Sequence, residues 1–107
     1  MEITRTDRNP GEITLSITGQ LDFMVRKDFQ AAIQESQAEG PTHLILDLSQ
    51  VSFIDCAAVG ILVRAKQDLA DAQITLSLRT APGRVFDVLK LLNVDKMLPV
   101  AIPTQTA

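Results

Sequence analysis

The chain has 107 residues, room for one domain and not two, and its 46% hydrophobic and 21% charged content is that of a globular protein. Aromatic residues are scarce, four Phe with no Trp or Tyr, so the core has to be built from Leu, Ile, Val and Ala. A net charge of −3 without a basic cluster argues against nucleic acid, the single Cys excludes an internal disulfide, and no apolar run approaches the roughly 20 residues of a bilayer-spanning helix.

The first segment, EITRT, precedes an NPG turn and reads as a strand antiparallel to the next one. In EITLSITG, Ile13, Leu15 and Ile17 alternate with polar residues, the period of a half-buried strand, and Gly19 is expected to end it. QLDFMVRKDFQAAIQESQAEG follows as a helix. Its apolar face is Val25, Phe29, Ala32, Ile33 and Ser36, with Asp22 as cap or first-turn anion, and Gly40-Pro41 stops it.

HLILDLSQV shows little alternation, which predicts a central strand covered on both faces. SFIDCAAVGIL then reads as the end of that strand, a turn, and the start of a second helix, with a loop from Ser52 to Asp55. Ala58, Ile61, Leu62, Ala65 and Leu69 form the helix stripe, and Val59 and Val63 lie to its side. ITLSLR is a further alternating strand, and Pro82 suits the first turn of a third helix. That helix presents Val85, Val88, Leu89 and Leu92, and Asn93 is suited to the left-handed conformation that ends helices. MLPVAIP supplies a last short strand before a frayed tail, TQTA. The order β-β-α-β-α-β-α-β implies an α/β fold with a mixed, mainly parallel sheet of about five strands and three main helices. The whole chain, 1–107, is one domain, with its core over about 2–101 and a tail over 102–107.

Catalytic chemistry is hard to find. His43, the sole His, is expected at an exposed loop edge before its strand. No zinc spacing, phosphate loop or nucleophile elbow occurs, so no enzyme activity, metal or cofactor is expected. Asp47 and Asp55 near one strand end are a weak candidate acid/base pair. Cys56, at a helix N-terminus where a thiolate is favoured, is either a modifiable thiol or a small residue filling a tight turn against the sheet. Val59, one turn in, belongs either to the core or to a protein-binding patch. The N-terminal stretch lacks the charged-then-apolar pattern of a signal peptide, and a cytoplasmic location is expected.

Three motifs in order carry a family resemblance: GQLD at 19–22, LILDLSQVSFID at 44–55, and APGRVFDVLKLLNVD at 81–95. With these the chain resembles a STAS domain of the anti-sigma factor antagonist type. The resemblance implies a non-catalytic module that binds an anti-sigma factor or switch protein kinase in a partner-switching pathway regulating transcription. In the family pattern D-S-S-G-L-G the second Ser is a phosphate acceptor, and phosphorylation breaks the complex. Here the run is Asp55-Cys56-Ala57-Ala58-Val59-Gly60, so the acceptor-equivalent position, Ala57, has no hydroxyl. Val25, where the family often has Thr, and Asn93, in place of a Gly, are further departures.

The partner surface implied is Asp22, Phe23 and Met24, the segment from Ser52 to Asp55, and Cys56, Ala57, Ala58 and Val59 at the start of the second helix. Asp55 is expected to cap that helix. Two other readings stand beside this one. One is a STAS subunit bound to the ATPase of a lipid-type ABC transporter. The other is a thiol-based sensor in which oxidation of Cys56 acts where phosphate would. No nucleic-acid partner and no direct membrane insertion are expected; a homodimer is compatible with the sequence.

Overall fold

The computed structural model describes residues 1–7, 9–97 and 100–101. Its five strands are β1 (Glu2–Thr6), β2 (Glu12–Leu21), β3 (His43–Ile54), β4 (Thr75–Arg79) and β5 (Val100–Ala101). Its helices are α1 (Arg26–Ala38), α2 (Cys56–Asp71), α3 (Arg84–Leu91) and the single turn α4 (Val94–Met97), with a 3-10 turn at Phe23–Val25. The sheet runs β1-β2-β3-β4-β5, antiparallel between β1 and β2 and parallel thereafter. The fold is therefore the α/β arrangement expected, with the expected element order. The residues given to the tail, 102–107, and Leu98, Pro99, Ile102 and Pro103 of the last segment lie outside the described residues.

Parallel strands laid down in sequence and joined by crossovers of one hand carry their helices on one face. The core follows that rule. Ile13, Leu15 and Ile17 of β2, Leu44, Leu46 and Leu48 of β3, and Leu76 and Leu78 of β4 share one cluster with Phe29, Ile33, Leu62, Leu69 and Leu89 of the helices. The expectation that β3 is covered on both faces is corrected: among the described residues, helices cover one. On the other face Ile45 is buried between Thr14 and Ser77, its register neighbours, and lies outside that cluster.

The predicted helix faces hold where packing needs them. Phe29, Ile33 and Ser36 of α1 are buried, and Ser36 Oγ satisfies itself on the Ala32 carbonyl at 3.0 Å. In α2 the buried set is Ala58, Val59, Leu62, Ala65 and Leu69, so Val59 joins the core. α2 ends with Gln73 in the left-handed region (φ 63°), where Gln73 N–H donates to Ala70 O and Ile74 N–H to Leu69 O. Asn93 takes the left-handed conformation anticipated for it (φ 61°). α3 starts after Gly83 rather than at Pro82, and Leu92, placed on its apolar face by periodicity, is 37% exposed at the helix end.

Two boundaries differ from the expectation, for one reason. β2 continues past Gly19 to Leu21, and β3 continues through Ser52, Phe53 and Ile54 instead of entering a loop. The two strands keep pairing, Gln20 with Phe53 and Leu21 with Ile54, because β3 accommodates two extra residues. At the first irregularity Asp47 Oδ1 accepts from Ser49 N–H at 3.0 Å. At the second the side-chain phase resets: Val51 and Ile54, three apart, are both buried, and Ser52 and Phe53 between them are exposed.

Candidate functional site

The C-terminal ends of β2 and β3 deliver two chain segments to one place. Leaving β2, Asp22 turns the backbone: its Oδ1 accepts from Met24 N–H at 3.0 Å and its carbonyl from Val25 N–H at 3.2 Å. This is the cap of the 3-10 turn, and α1 begins one turn later with Val25 at its N-cap and no side-chain bond there. The tight turn leaves Phe23 52% and Met24 83% exposed. Arg26 holds Phe23 in place, its guanidinium 3.7 Å from the ring centroid and its Nη1 donating to the Phe23 carbonyl at 2.9 Å.

Leaving β3, Asp55 N–H donates to Leu21 O, and the side chain then serves two masters. Oδ1 accepts from Ala58 N–H at 3.0 Å, the N-cap of α2, and Oδ2 accepts from Phe23 N–H at 3.0 Å. The carboxylate thus ties the start of α2 to the turn before α1. Both Asp55 oxygens hold backbone N–H groups, and Asp47 Oδ1 accepts from Ser49 N–H. Each carboxylate has a structural task at its own turn.

Of the residues named from sequence, Asp22, Phe23, Met24, Ser52, Asp55, Cys56 and Ala57 come together at this end of the sheet with at least part of their surface open. Ala58 and Val59 are corrected. They are 1% and 6% exposed, on the side of α2 that packs against the sheet, and their side chains are not on the surface. Of the two readings of Cys56, the one packed into the turn is set aside: it is exposed at the first position of α2.

Phe53 belongs to the segment from Ser52 to Asp55 expected at the partner surface, and it is 42% exposed through the β3 irregularity rather than through a loop. Gly60 escaped the sequence reading. Gly60 lies one turn beyond Ala57, exposed, and a Cβ built there meets nothing within 4 Å. The fold therefore gives no steric reason for a helix-interior glycine at this position. Ala57, Gly60, Ile61 and Arg64 of α2, with Gln30 and Gln34 of α1, line a shallow polar groove that opens beside the site.

No helix among the described residues is long and apolar enough to cross a membrane. No group of three His, Cys, Asp or Glu among them is placed to hold a metal.

Comparison with known proteins gives one consistent family. The STAS domain model matches residues 3–107. A STAS-domain containing protein of Pseudomonas aeruginosa is 26% identical over 90 residues, 84% of this chain and 88% of that protein. The anti-sigma-F factor antagonist RsfB of Mycobacterium tuberculosis is 33% identical over 70 residues, 65% of this chain, and the chain spans 57% of its length. The crystal structure of an anti-sigma factor antagonist from Mycobacterium paratuberculosis superposes with a TM-score of 0.83 at 24% identity, covering 97% of this chain and 88% of that one.

Proposed function

The chain belongs to the STAS domain family, and from that premise we propose that it is a non-catalytic anti-sigma factor antagonist that binds an anti-sigma factor or switch protein kinase. The observation that carries this reading is the double use of Asp55. One carboxylate fixes Phe23 and the start of α2 relative to each other, so that exposed aromatic and thioether side chains stand beside a bare helix surface at Ala57 and Gly60. A rigid apolar anchor next to a flat helix face is the anatomy of a protein-binding surface.

The proposed contact set is Asp22, Phe23, Met24, Ser52, Phe53, Cys56, Ala57 and Gly60, with Asp55 as its organiser. Ala57 stands at the position equivalent to the family's phosphate acceptor and carries only a methyl group. Binding at this surface is therefore not switched off by phosphorylation there. A phosphate at the same place would bring nearly two negative charges into an interface beside the Asp55 carboxylate.

The test is affinity capture on the purified chain, with the bound proteins identified by mass and the affinity of the principal one measured by calorimetry. An anti-sigma factor or switch kinase, with affinity falling in Phe23→Ala, is the expected result. An ABC transporter ATPase in its place would overturn the reading in favour of a transporter subunit.

A further inference from the structure

The face of the sheet that carries no helices among the described residues holds a second group of residues, at the end of the strands opposite Asp55. Glu12 opens β2, His43 opens β3, and Ser77 lies in the middle of β4. Glu12 pairs with His43 in register, and Ser77 sits two residues beyond the partner of His43, so all three point to the same face. His43 Nε2 is 2.7 Å from Ser77 Oγ, and its Nδ1 is 3.6 Å from Glu12 Oε2. His43 is thus not at a loop edge, and its side chain is 33% exposed, with that of Glu12 at 26%.

We propose that Ser77, His43 and Glu12 form a nucleophile–base–carboxylate relay that makes the Ser77 hydroxyl an acceptor for acyl groups from small activated esters. A surface hydrogen bond needs only two of these residues. The third places a negative charge behind Nδ1, which favours the tautomer with its proton on Nδ1 and leaves Nε2 free to accept from the Ser77 O–H. Among the described residues no helix covers this face, and Ser77 keeps part of its surface open to solvent.

In the step itself Ser77 Oγ bonds to the ester carbonyl carbon as its proton passes to His43 Nε2. The bond from that carbon to the leaving oxygen then breaks, and the departing alcohol takes the proton from His43. The products are acyl-Ser77 and one alcohol. Arg79 lies two residues along β4 on the same face, and the proposal assigns the oxyanion to it. The Ser77 alkoxide is a far poorer leaving group than the activated alcohol, so acylation is expected to outrun deacylation and one equivalent is transferred per chain rather than many.

The experiment uses p-nitrophenyl acetate on the full chain in a Cys56→Ser background, which removes the exposed thiol as a competitor. The expected result is a burst of about one equivalent of nitrophenolate, with the acetyl group found on Ser77 by peptide mass. The burst rate should fall about 100-fold in His43→Gln, by a smaller factor in Glu12→Gln, and vanish in Ser77→Ala. Acetylation confined to lysines, or a Ser77 burst that is unchanged in His43→Gln, overturns the proposal. Peptide mapping on the parent chain decides the first point even if a variant fails to fold. The partner surface lies at the other end of the strands, so failure here leaves the binding reading untouched.

Discussion

The carboxylate of Asp55 holds the backbone N–H of Phe23 at 3.0 Å across 32 residues of sequence. Its other oxygen caps α2 through Ala58 N–H, so one side chain sets the relative position of two surface segments. Asp55→Ala removes both links, and a loss of about 1–2 kcal/mol of stability is expected, the upper part of the range for a lost cap. Asp55→Asn keeps a single acceptor oxygen and should lose about half as much. Urea denaturation measures both. Partner affinity should fall with the same ranking, and an Asp55→Ala chain that melts and binds like the parent would remove Asp55 from its role.

Phe23 and Phe53 are exposed side chains whose truncation leaves no cavity. Phe23→Ala and Phe53→Ala should cost no more than about 1 kcal/mol of stability, part of it in Phe23 the lost stacking of Arg26. If they anchor the partner, calorimetric affinity should fall by at least about tenfold in each, an anchor residue being worth more than about 1 kcal/mol. Equal affinity in both variants would move the interface elsewhere.

Gly60 weakens α2 without any steric return inside the molecule. Gly60→Ala should raise stability by about 1 kcal/mol, the helix-propensity difference, and the melting temperature by about 4–8 °C. If the bare position serves a partner, binding weakens as the fold strengthens. A more stable variant with unchanged affinity would show that the glycine is not part of the surface.

Ala57→Asp separates fold from interface in the same way. A negative charge in the first turn of α2 meets the positive end of the helix, so stability should hold or rise by about 0.3–1 kcal/mol. The same charge buried against a partner without a counter-ion costs several kcal/mol, and binding should drop by more than about tenfold. Loss of stability together with binding would point to misfolding rather than to an interface effect.

Arg5 joins β1 to its own neighbourhood and to the end of α1, bonding Asp7 at 2.7 and 2.9 Å and Glu39 in a second pair. Its guanidinium holds both carboxyls below their ordinary values. Carboxylates depressed in the folded chain add stability that is complete above their unfolded values and fades as pH falls through the folded ones. The parent should therefore lose stability more steeply than Arg5→Gln as pH drops below the usual carboxylate range, and the two should converge in strong acid. The groups are exposed, so the difference should be small and shrink with salt. Parallel pH profiles would count against the pairing.

The sequence by itself determined the element order, the sheet-facing residues of β2 and β4, the buried faces of α1 and α2, the helix end at Asn93 and the cap at Asp55. Each of these depends on neighbours within a turn or two, and local periodicity and capping chemistry read them directly. Tertiary structure decided what depends on partners far along the chain. Val59 is core because the sheet lies under that side of α2, whereas Cys56 faces solvent because the first position of the same helix points away from it. β3 has one helix-covered face because all the crossovers fall on one side. Phe53 is exposed because β3 fits two more residues than β2 over their shared length, and Asp55 reaches Phe23 only once the two strand ends lie side by side. The meeting of Glu12, His43 and Ser77 has the same origin: three residues, each ordinary in its own strand, are made neighbours by strand register alone.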